Sequence, residues 1–294
     1  MKLIVFMKGN RLNRYILIFL AALVLITGLA YRTYIIQQDS LRTKQLKEVR
    51  LSTAGYPYYS HTLSSEDIDS LTMKNAYRHT RDIRRQQIPP SGLYKIEFIY
   101  VDKSTETIQY SRLLNKYYDG RSILIEPSEA FEAQLQELIN ILDRNIYDTY
   151  GELIPWEEAD KIFPLFSFAR IIDIYSGASF MVQRRAGSSH ADAQPLTSED
   201  TAIMKEIFHG SWTWERSGII VEVNGRRIAA SMNGKPHGAG KIKDNNFPGH
   251  FCIHFLNSTT HSGNVDKRHL EEILKAAGKL PLDYTTSFPS DDTY

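Results

Sequence analysis

The chain of 294 residues carries 35 Lys and Arg against 34 Asp and Glu, a net charge of +1, so no global basic field favours nucleic acid as a partner. With 42% hydrophobic residues it can bury a sizeable core, and its length fits one or two domains. The single cysteine, Cys252, excludes an internal disulfide framework and any zinc site that needs several cysteine ligands.

The N-terminal segment is predicted to anchor the chain in a membrane. Residues 15–31 are uncharged and mostly apolar, and they are just long enough to span a bilayer as a helix. Four basic residues precede this run with no acidic residue among them, which places the N-terminus in the cytoplasm. We therefore expect residues 1–36 to form a cytoplasmic tail and a transmembrane anchor, with the bulk of the chain outside the plasma membrane. A cleaved signal peptide is the alternative.

The next part of the chain divides into a polar stretch and a small folded unit. Residues 37–92 are polar without clean periodicity, and we interpret them as a juxtamembrane linker. Apolar residues then alternate along three short segments, and an amphipathic helix follows over residues 127–145. This order predicts a β-β-β-α module over residues 93–150. Because no cluster of reactive side chains stands out in it, we expect residues 93–145 to pack or to bind an envelope protein partner.

We predict a β-rich C-terminal domain with two flanking helices over residues 165–280, followed by a loose tail over residues 281–294. Asn224-Gly225, between two apolar runs, is the strongest short hairpin signal. One helix begins after Thr197, which would cap it, and a second precedes the tail. The predicted fold class of the whole chain is therefore α+β.

A short predicted strand near the C-terminus carries the reactive residue types. The stretch 231–261 holds the only cysteine and four of the nine histidines. Apolar residues alternate there with His250, Cys252 and His254, so these three side chains would share the face opposite the core. An imidazole beside a thiol can take its proton, and the thiolate is the reactive form. The pattern predicts Cys252 as a nucleophile; a small buried hydrophobic residue is the alternative.

Two short motifs in this region resemble those of bacterial L,D-transpeptidases. The dipeptide H-G at 237–238 is followed by a loop and by G-H-F-C-I-H at 249–254. The family carries H-G, a loop, and then S-H-G-C-[IV]-R. The resemblance implies that Cys252 is the nucleophile, that His250 is its base and that His237 is a cleft residue near the acyl donor. It also implies acyl transfer on peptidoglycan peptides without a cofactor. The Ser, the Gly and the Arg of the family motif are replaced here.

Metal-dependent hydrolysis is the second chemistry that these residues permit. A catalytic zinc ion takes three His, Asp or Glu ligands and keeps one position for water. His190 and Asp192, with a later histidine, are similar in residue type to the zinc peptidases that cut bacterial wall peptides, although their spacing differs. On a strand His250 and His254 would lie about 13 Å apart, so one ion cannot take both. The alternative metal set is therefore His190, Asp192 and His254, with His237 as a further option.

Four residues are candidates for contact with the substrate: Trp212, Trp214, Asn233 and His254. The two tryptophans lie two positions apart on a predicted strand and would face the same way, as a platform for a sugar or a peptide. A third interpretation is a non-catalytic envelope module that binds a wall polymer, in which the histidines are buried polar groups that join loops. The sequence thus predicts a single-pass membrane protein whose extracytoplasmic part acts on peptidoglycan or binds it.

Overall fold

The computed structural model describes residues 26–33, 45–69, 71 and 76–285. These residues form a mixed α+β fold with one seven-stranded sheet and one closed six-stranded barrel, in which all neighbouring strands are antiparallel. The predicted fold class is confirmed at this level.

The predicted membrane anchor falls largely outside the described residues. Residues 26–33 are helical, and the remainder of the segment up to residue 25 is not described. Among the helices that the structure describes, none combines the length and the apolar character needed to cross a membrane. The predicted tail over residues 281–294 also lies outside the described part from residue 286 onward.

The N-terminal sheet has the order β2-β1-β4-β5-β6-β7-β3. Its strands are β1 (Leu46–Thr53), β2 (Ser60–Thr62), β3 (Tyr77–His79), β4 (Leu93–Tyr100), β5 (Thr105–Ser111), β6 (Lys116–Asp119) and β7 (Leu124–Pro127). A short helix, α1 (Ser65–Asp69), follows β2, and the long helix α2 (Glu129–Thr149) follows β7. The three predicted strands and the helix correspond to β4, β5, β7 and α2; β6 lies between the second and third of these strands and was not predicted, and β1 to β3 precede them.

The structure differs from the expectation of a linker over residues 37–92. This stretch supplies β1, β2 and β3, and β1 pairs with β4 along almost its whole length. Val49 and Leu51 are fully buried in the same core as the apolar face of α2. Because only these two positions of β1 are buried apolar residues, the alternation was too short to indicate a strand.

The predicted amphipathic helix is α2, which runs four residues further than expected. Ser128 caps it by accepting a hydrogen bond from the amide of Phe131. The apolar residues spaced three and four apart face the sheet, and Leu135 and Ile139 are almost completely buried. The sheet and α2 therefore share one hydrophobic core.

The C-terminal part closes into a barrel with the order β10-β13-β12-β11-β8-β9. Its elements in chain order are α3 (Trp156–Ile162), β8 (Phe168–Asp173), β9 (Ser179–Ala186), β10 (Ala191–Pro195), α4 (Ser198–Ile207), β11 (Thr213–Val223), β12 (Arg226–Gly234), β13 (Phe251–His254) and α5 (Lys267–Ala276). The predicted hairpin at Asn224-Gly225 joins β11 to β12, and both of its residues have positive φ. Thr197 and Asp200 form a capping box at the start of α4, as predicted.

The barrel core begins before the predicted limit at residue 165. Ile154, Trp156 and Phe163 belong to the same buried cluster as the inward residues of β8–β13. Trp156 donates its backbone amide to Leu256, at 2.7 Å, directly after β13. The segment ahead of β8, which lies between the two predicted units, therefore belongs to the barrel core.

The two faces of β13 have different neighbours. Phe251 and Ile253 belong to the barrel core, whereas Cys252 and His254 project from the opposite face, as the alternation predicted. That outer face is also covered, because His269 of α5 stacks on His254. Cys252 and His254 are each only 1% exposed, so both faces of this strand are buried.

We predict that Gly151→Ala destabilises the protein, because Gly151 lies directly against β12. A Cβ on this buried glycine would contact the amide of Ala229 and lie 2.6 Å from the carbonyl carbon of Ile228, and backbone atoms cannot rotate away. We expect a loss of about 1–3 kcal/mol in the free energy of unfolding, measured by denaturant titration. The control is Gly55→Ala, where nothing lies within 4 Å of the added carbon. Equal stability of the two variants would contradict this close packing.

Candidate metal and thiol site

The site begins with the pairing of two strands. β10 and β13 are antiparallel neighbours, and their register sets Asp192 opposite Cys252. Both side chains are buried, with the oxygen Oδ1 of Asp192 at 3.9 Å from the sulfur of Cys252. The barrel thus holds a carboxylate and a thiol side by side away from solvent.

The loop between β12 and β13 returns to this strand pair through one bridge. His237 and His250 each donate a backbone hydrogen bond to the other's carbonyl, at 2.9 and 2.8 Å. Gly249 is required beside the bridge, since its φ is +129° and a Cβ on it would lie 2.9 Å from the carbonyl carbon of His237. The bridge sets two imidazoles next to Cys252.

The nearest imidazole to the thiol is that of His237, and not that of His250. Nε2 of His237 lies 3.2 Å from the sulfur of Cys252. The assignment of His250 as the base, which the family resemblance implied, is therefore not the arrangement in this structure. His250, two residues before Cys252, lies with its Nε2 near the carboxylate of Asp192, whereas the returning loop brings His237 to the sulfur.

The thiol is buried next to a negative charge. Burial raises the pKa of Cys252 strongly, and the carboxylate of Asp192 raises it further. Burial likewise lowers the pKa of His237. Asp192 itself keeps a lowered pKa, because the neighbouring His190 and His250 outweigh the effect of burial on the carboxylate. In the metal-free site the thiol is protonated at neutral pH and His237 is neutral.

Three imidazoles at the site are oriented in the same manner. Each has Nδ1 against a backbone carbonyl, which can only accept, so Nδ1 carries a proton, and in the neutral ring Nε2 keeps a lone pair. The pairs are His190 with Thr259 (2.7 Å), His237 with Lys235 (2.8 Å) and His250 with Ala239 (3.1 Å). All three Nε2 atoms therefore lie next to the carboxylate or the thiol.

Two of these Nε2 atoms lie close to a carboxylate oxygen. Nε2 of His190 lies 3.2 Å from Oδ1 of Asp192, and Nε2 of His250 lies 3.7 Å from the same oxygen. Both nitrogens are buried, and neither makes an aligned hydrogen bond with any described residue. Buried polar atoms almost always have a hydrogen-bond partner or a bound ion. We therefore expect a proton or a cation between these two nitrogens and the carboxylate.

Within the described part of the chain, two groups of four side chains could hold a metal ion. The first group contains His237, His250, Cys252 and His261. The second contains His190, Asp192, Cys252 and His261. In each group the four ligand atoms all lie within 4.8 Å of one another. His261, in the loop after β13, was missed by sequence reasoning because its neighbours are turn residues.

The predicted metal set of His190, Asp192 and His254 is only partly brought together. Neither of the two groups contains His254. Its ring stacks between those of His190, at 4.7 Å, and His269, at 3.9 Å, so it presents ring faces to them. Burial lowers the pKa of His254 well below its usual value, and the ring is neutral. The same burial leaves no surface of His254 for a substrate.

The two tryptophans predicted as one platform have separate environments. Trp214 lies beside His237, with ring centroids 5.0 Å apart, and therefore lines the site. Trp212 packs instead on Phe247 at the edge of the barrel core. A register shift in β11 between Thr213 and Arg216 breaks the alternation on which the shared face depended.

Asn233, the fourth predicted substrate residue, is fully buried beside the thiol. Its Oδ1 accepts the backbone amide of Cys252 at 3.3 Å. Its amide group lowers the pKa of the thiol, against the larger effect of burial, and Nδ2 makes no aligned hydrogen bond within the described structure. Asn233 thus places a side-chain donor beside the sulfur.

No protein-family model, no curated protein and no solved structure matches this chain. The resemblance to L,D-transpeptidases therefore rests on the two short motifs alone.

We predict that Cys252 reacts slowly with iodoacetamide in the metal-free protein at neutral pH. Its raised pKa leaves less thiolate than an ordinary cysteine has, and the thiolate is the reactive form. Asp192→Asn removes a neighbouring charge that raises this pKa, so alkylation should become faster, whereas Asp244→Asn in an exposed loop should change nothing. Rates are measured by mass spectrometry. A native thiol as reactive as that of the denatured chain would contradict the burial of this site.

Proposed function

We propose that the barrel is a metal-dependent hydrolase whose zinc ion is held among His190, Asp192, His237, His250, Cys252 and His261. One observation carries the proposal. Three imidazoles donate Nδ1–H to backbone carbonyls and present Nε2 to one carboxylate and one thiol. Histidines that bind metals are held in this way almost without exception, with the second ring nitrogen fixed by a carbonyl or a carboxylate.

The spacing of the donor atoms supports the same ion. Zinc bonds of about 2.0–2.3 Å in a tetrahedron separate the ligand atoms by about 3.3–3.8 Å. The contacts of Asp192 Oδ1 with His190 and His250 are 3.2 and 3.7 Å, and the thiol–His237 contact is 3.2 Å. These separations need only small adjustments to accept an ion. A cation would also convert the unfavourable approach of Nε2 to a carboxylate into ligation.

When bound, zinc supplies a Lewis acid and lowers the pKa of a coordinated water toward neutrality. The chain's own residues then have defined tasks. Asp192 and the thiolate of Cys252 would supply the negative charge that holds a divalent cation. The bound cation would in turn lower the pKa of the thiol. His261 is exposed and gives the site its open side, and Trp214 lies beside His237 where a substrate would enter.

Cysteine acyl transfer is the second candidate, favoured by the 3.2 Å contact between the thiol and His237. In that reaction the sulfur of Cys252 forms a bond to the acyl carbon while Nε2 of His237 takes the thiol proton. His237 then returns this proton to the leaving group as its bond to the carbon breaks, and water or an acceptor amine releases the acyl group. Nδ2 of Asn233 would donate to the oxyanion.

For either chemistry we propose an extracytoplasmic site at the plasma membrane that acts on peptidoglycan peptides. The support is the uncharged run at residues 15–31 with basic residues ahead of it. We further propose residues 93–145 as a surface for an envelope protein partner.

Removal of the metal distinguishes metal-dependent hydrolysis from cysteine acyl transfer. We expect the purified full chain to cleave wall peptides, to lose this activity on dialysis against a chelator and to regain it with Zn²⁺. His237→Gln should lower the affinity for zinc at least tenfold, while His61→Gln, on β2 of the other sheet, should not. Activity that survives chelation but disappears in Cys252→Ser would favour the cysteine reaction and sink the metal proposal.

The location has its own test. A reporter fused after Tyr294 should be exported and remain with the membrane fraction, because the N-terminal run is long enough to stay in the bilayer. Recovery of the fusion in the cytosol would contradict the proposed orientation. Recovery in the medium would indicate that the segment is cleaved as a signal peptide.

A further inference from the structure

The site contains more donors than one zinc ion can use. Six side chains, four imidazoles, one carboxylate and one thiol, fall into two groups of four that share Cys252 and His261. A zinc ion in a protein takes four ligands, or five at most. We propose that this site binds two divalent transition-metal ions, a proposal that rests on the metal-dependent function above.

The unsatisfied nitrogens carry the inference. The first group contains the buried Nε2 of His250, and the second contains the buried Nε2 of His190. If only one group binds an ion, the buried Nε2 of the other group has no cation to bind. An ion in each group satisfies both nitrogens, which are otherwise buried without an aligned hydrogen bond to any described residue.

The two groups come from different parts of the fold. His237 and His250 belong to the bridge at the ends of the β12–β13 loop, whereas His190 and Asp192 lie at the start of β10. Cys252 is adjacent to both, at 3.2 Å from His237 and 3.9 Å from Asp192. Its sulfur is therefore close enough to both groups to be a ligand of either ion, and the exposed His261 would supply a ligand to one of them on the open side.

The charge of such a site indicates the class of substrate. Two dications with one carboxylate and one thiolate leave 4 − 2 = +2. The rim adds the exposed Lys235, whose Nζ lies 5.5 Å from the centre of the Trp214 ring. A substrate with an anionic group next to the bond that is cut, such as a peptide carboxylate, would offset this charge. Two ions also suit hydrolysis, in which both the attacking and the leaving oxygen or nitrogen need stabilisation.

The test is the number of ions that the full chain binds. Metal-free protein is titrated with Zn²⁺, and bound zinc is measured by plasma mass spectrometry after gel filtration. We expect two ions per chain. One ion per chain would overturn the two-metal proposal and leave the metal-dependent function in place, whereas no bound zinc would overturn both.

Variants assign the two positions. His250→Gln should remove one ion and His190→Gln the other, so that each variant binds one, while His61→Gln still binds two. Co²⁺ provides an independent signal, because a sulfur-to-cobalt absorption band should appear in each single-histidine variant and be lost in Cys252→Ser. The wild-type count alone decides the proposal if a variant fails to fold. Two ions lost together on either substitution would contradict the division into two groups.

Discussion

The backbone bridge between His237 and His250 is the contact on which the site depends. It holds the start of the β12–β13 loop beside the residue that precedes β13, and from there His237 reaches the thiol. The bridge is possible only because Gly249 and Gly238 flank it with positive φ and no side chain. A Cβ on Gly238 would lie 3.0 Å from Nδ1 of the His250 ring, so this glycine also leaves room for a candidate ligand.

The barrel explains how so many polar groups come to be buried together. The inward face of β13 completes the hydrophobic core through Phe251 and Ile253, which fixes the strand in place. Its outward face is closed by α5, whose His269 stacks on His254 and hydrogen-bonds to Ser231 at 2.9 Å. Burial on both sides raises the electrostatic cost of every unpaired donor and acceptor around Cys252. A metal cation would lower this cost for two imidazoles and a carboxylate at once.

Much of the local structure could be predicted from the sequence, because it depends on near neighbours. The alternation in β13, the hairpin at Asn224-Gly225 and the helix α2 follow from periodicity and turn residues. The partner of the thiol could not be predicted, since the path of the loop decides between His237 and His250. The sheet formed by residues 46–62 was missed for a related reason: short strands gain their stability from distant partners.

Binding of a metal ion to the sulfur of Cys252 together with the surrounding imidazoles can be measured by X-ray absorption at the zinc edge of the loaded protein. We expect one sulfur neighbour at about 2.3 Å and nitrogen or oxygen neighbours at about 2.0–2.1 Å, with the sulfur signal lost in Cys252→Ser. A spectrum with oxygen and nitrogen neighbours alone in the unaltered protein would contradict the claim.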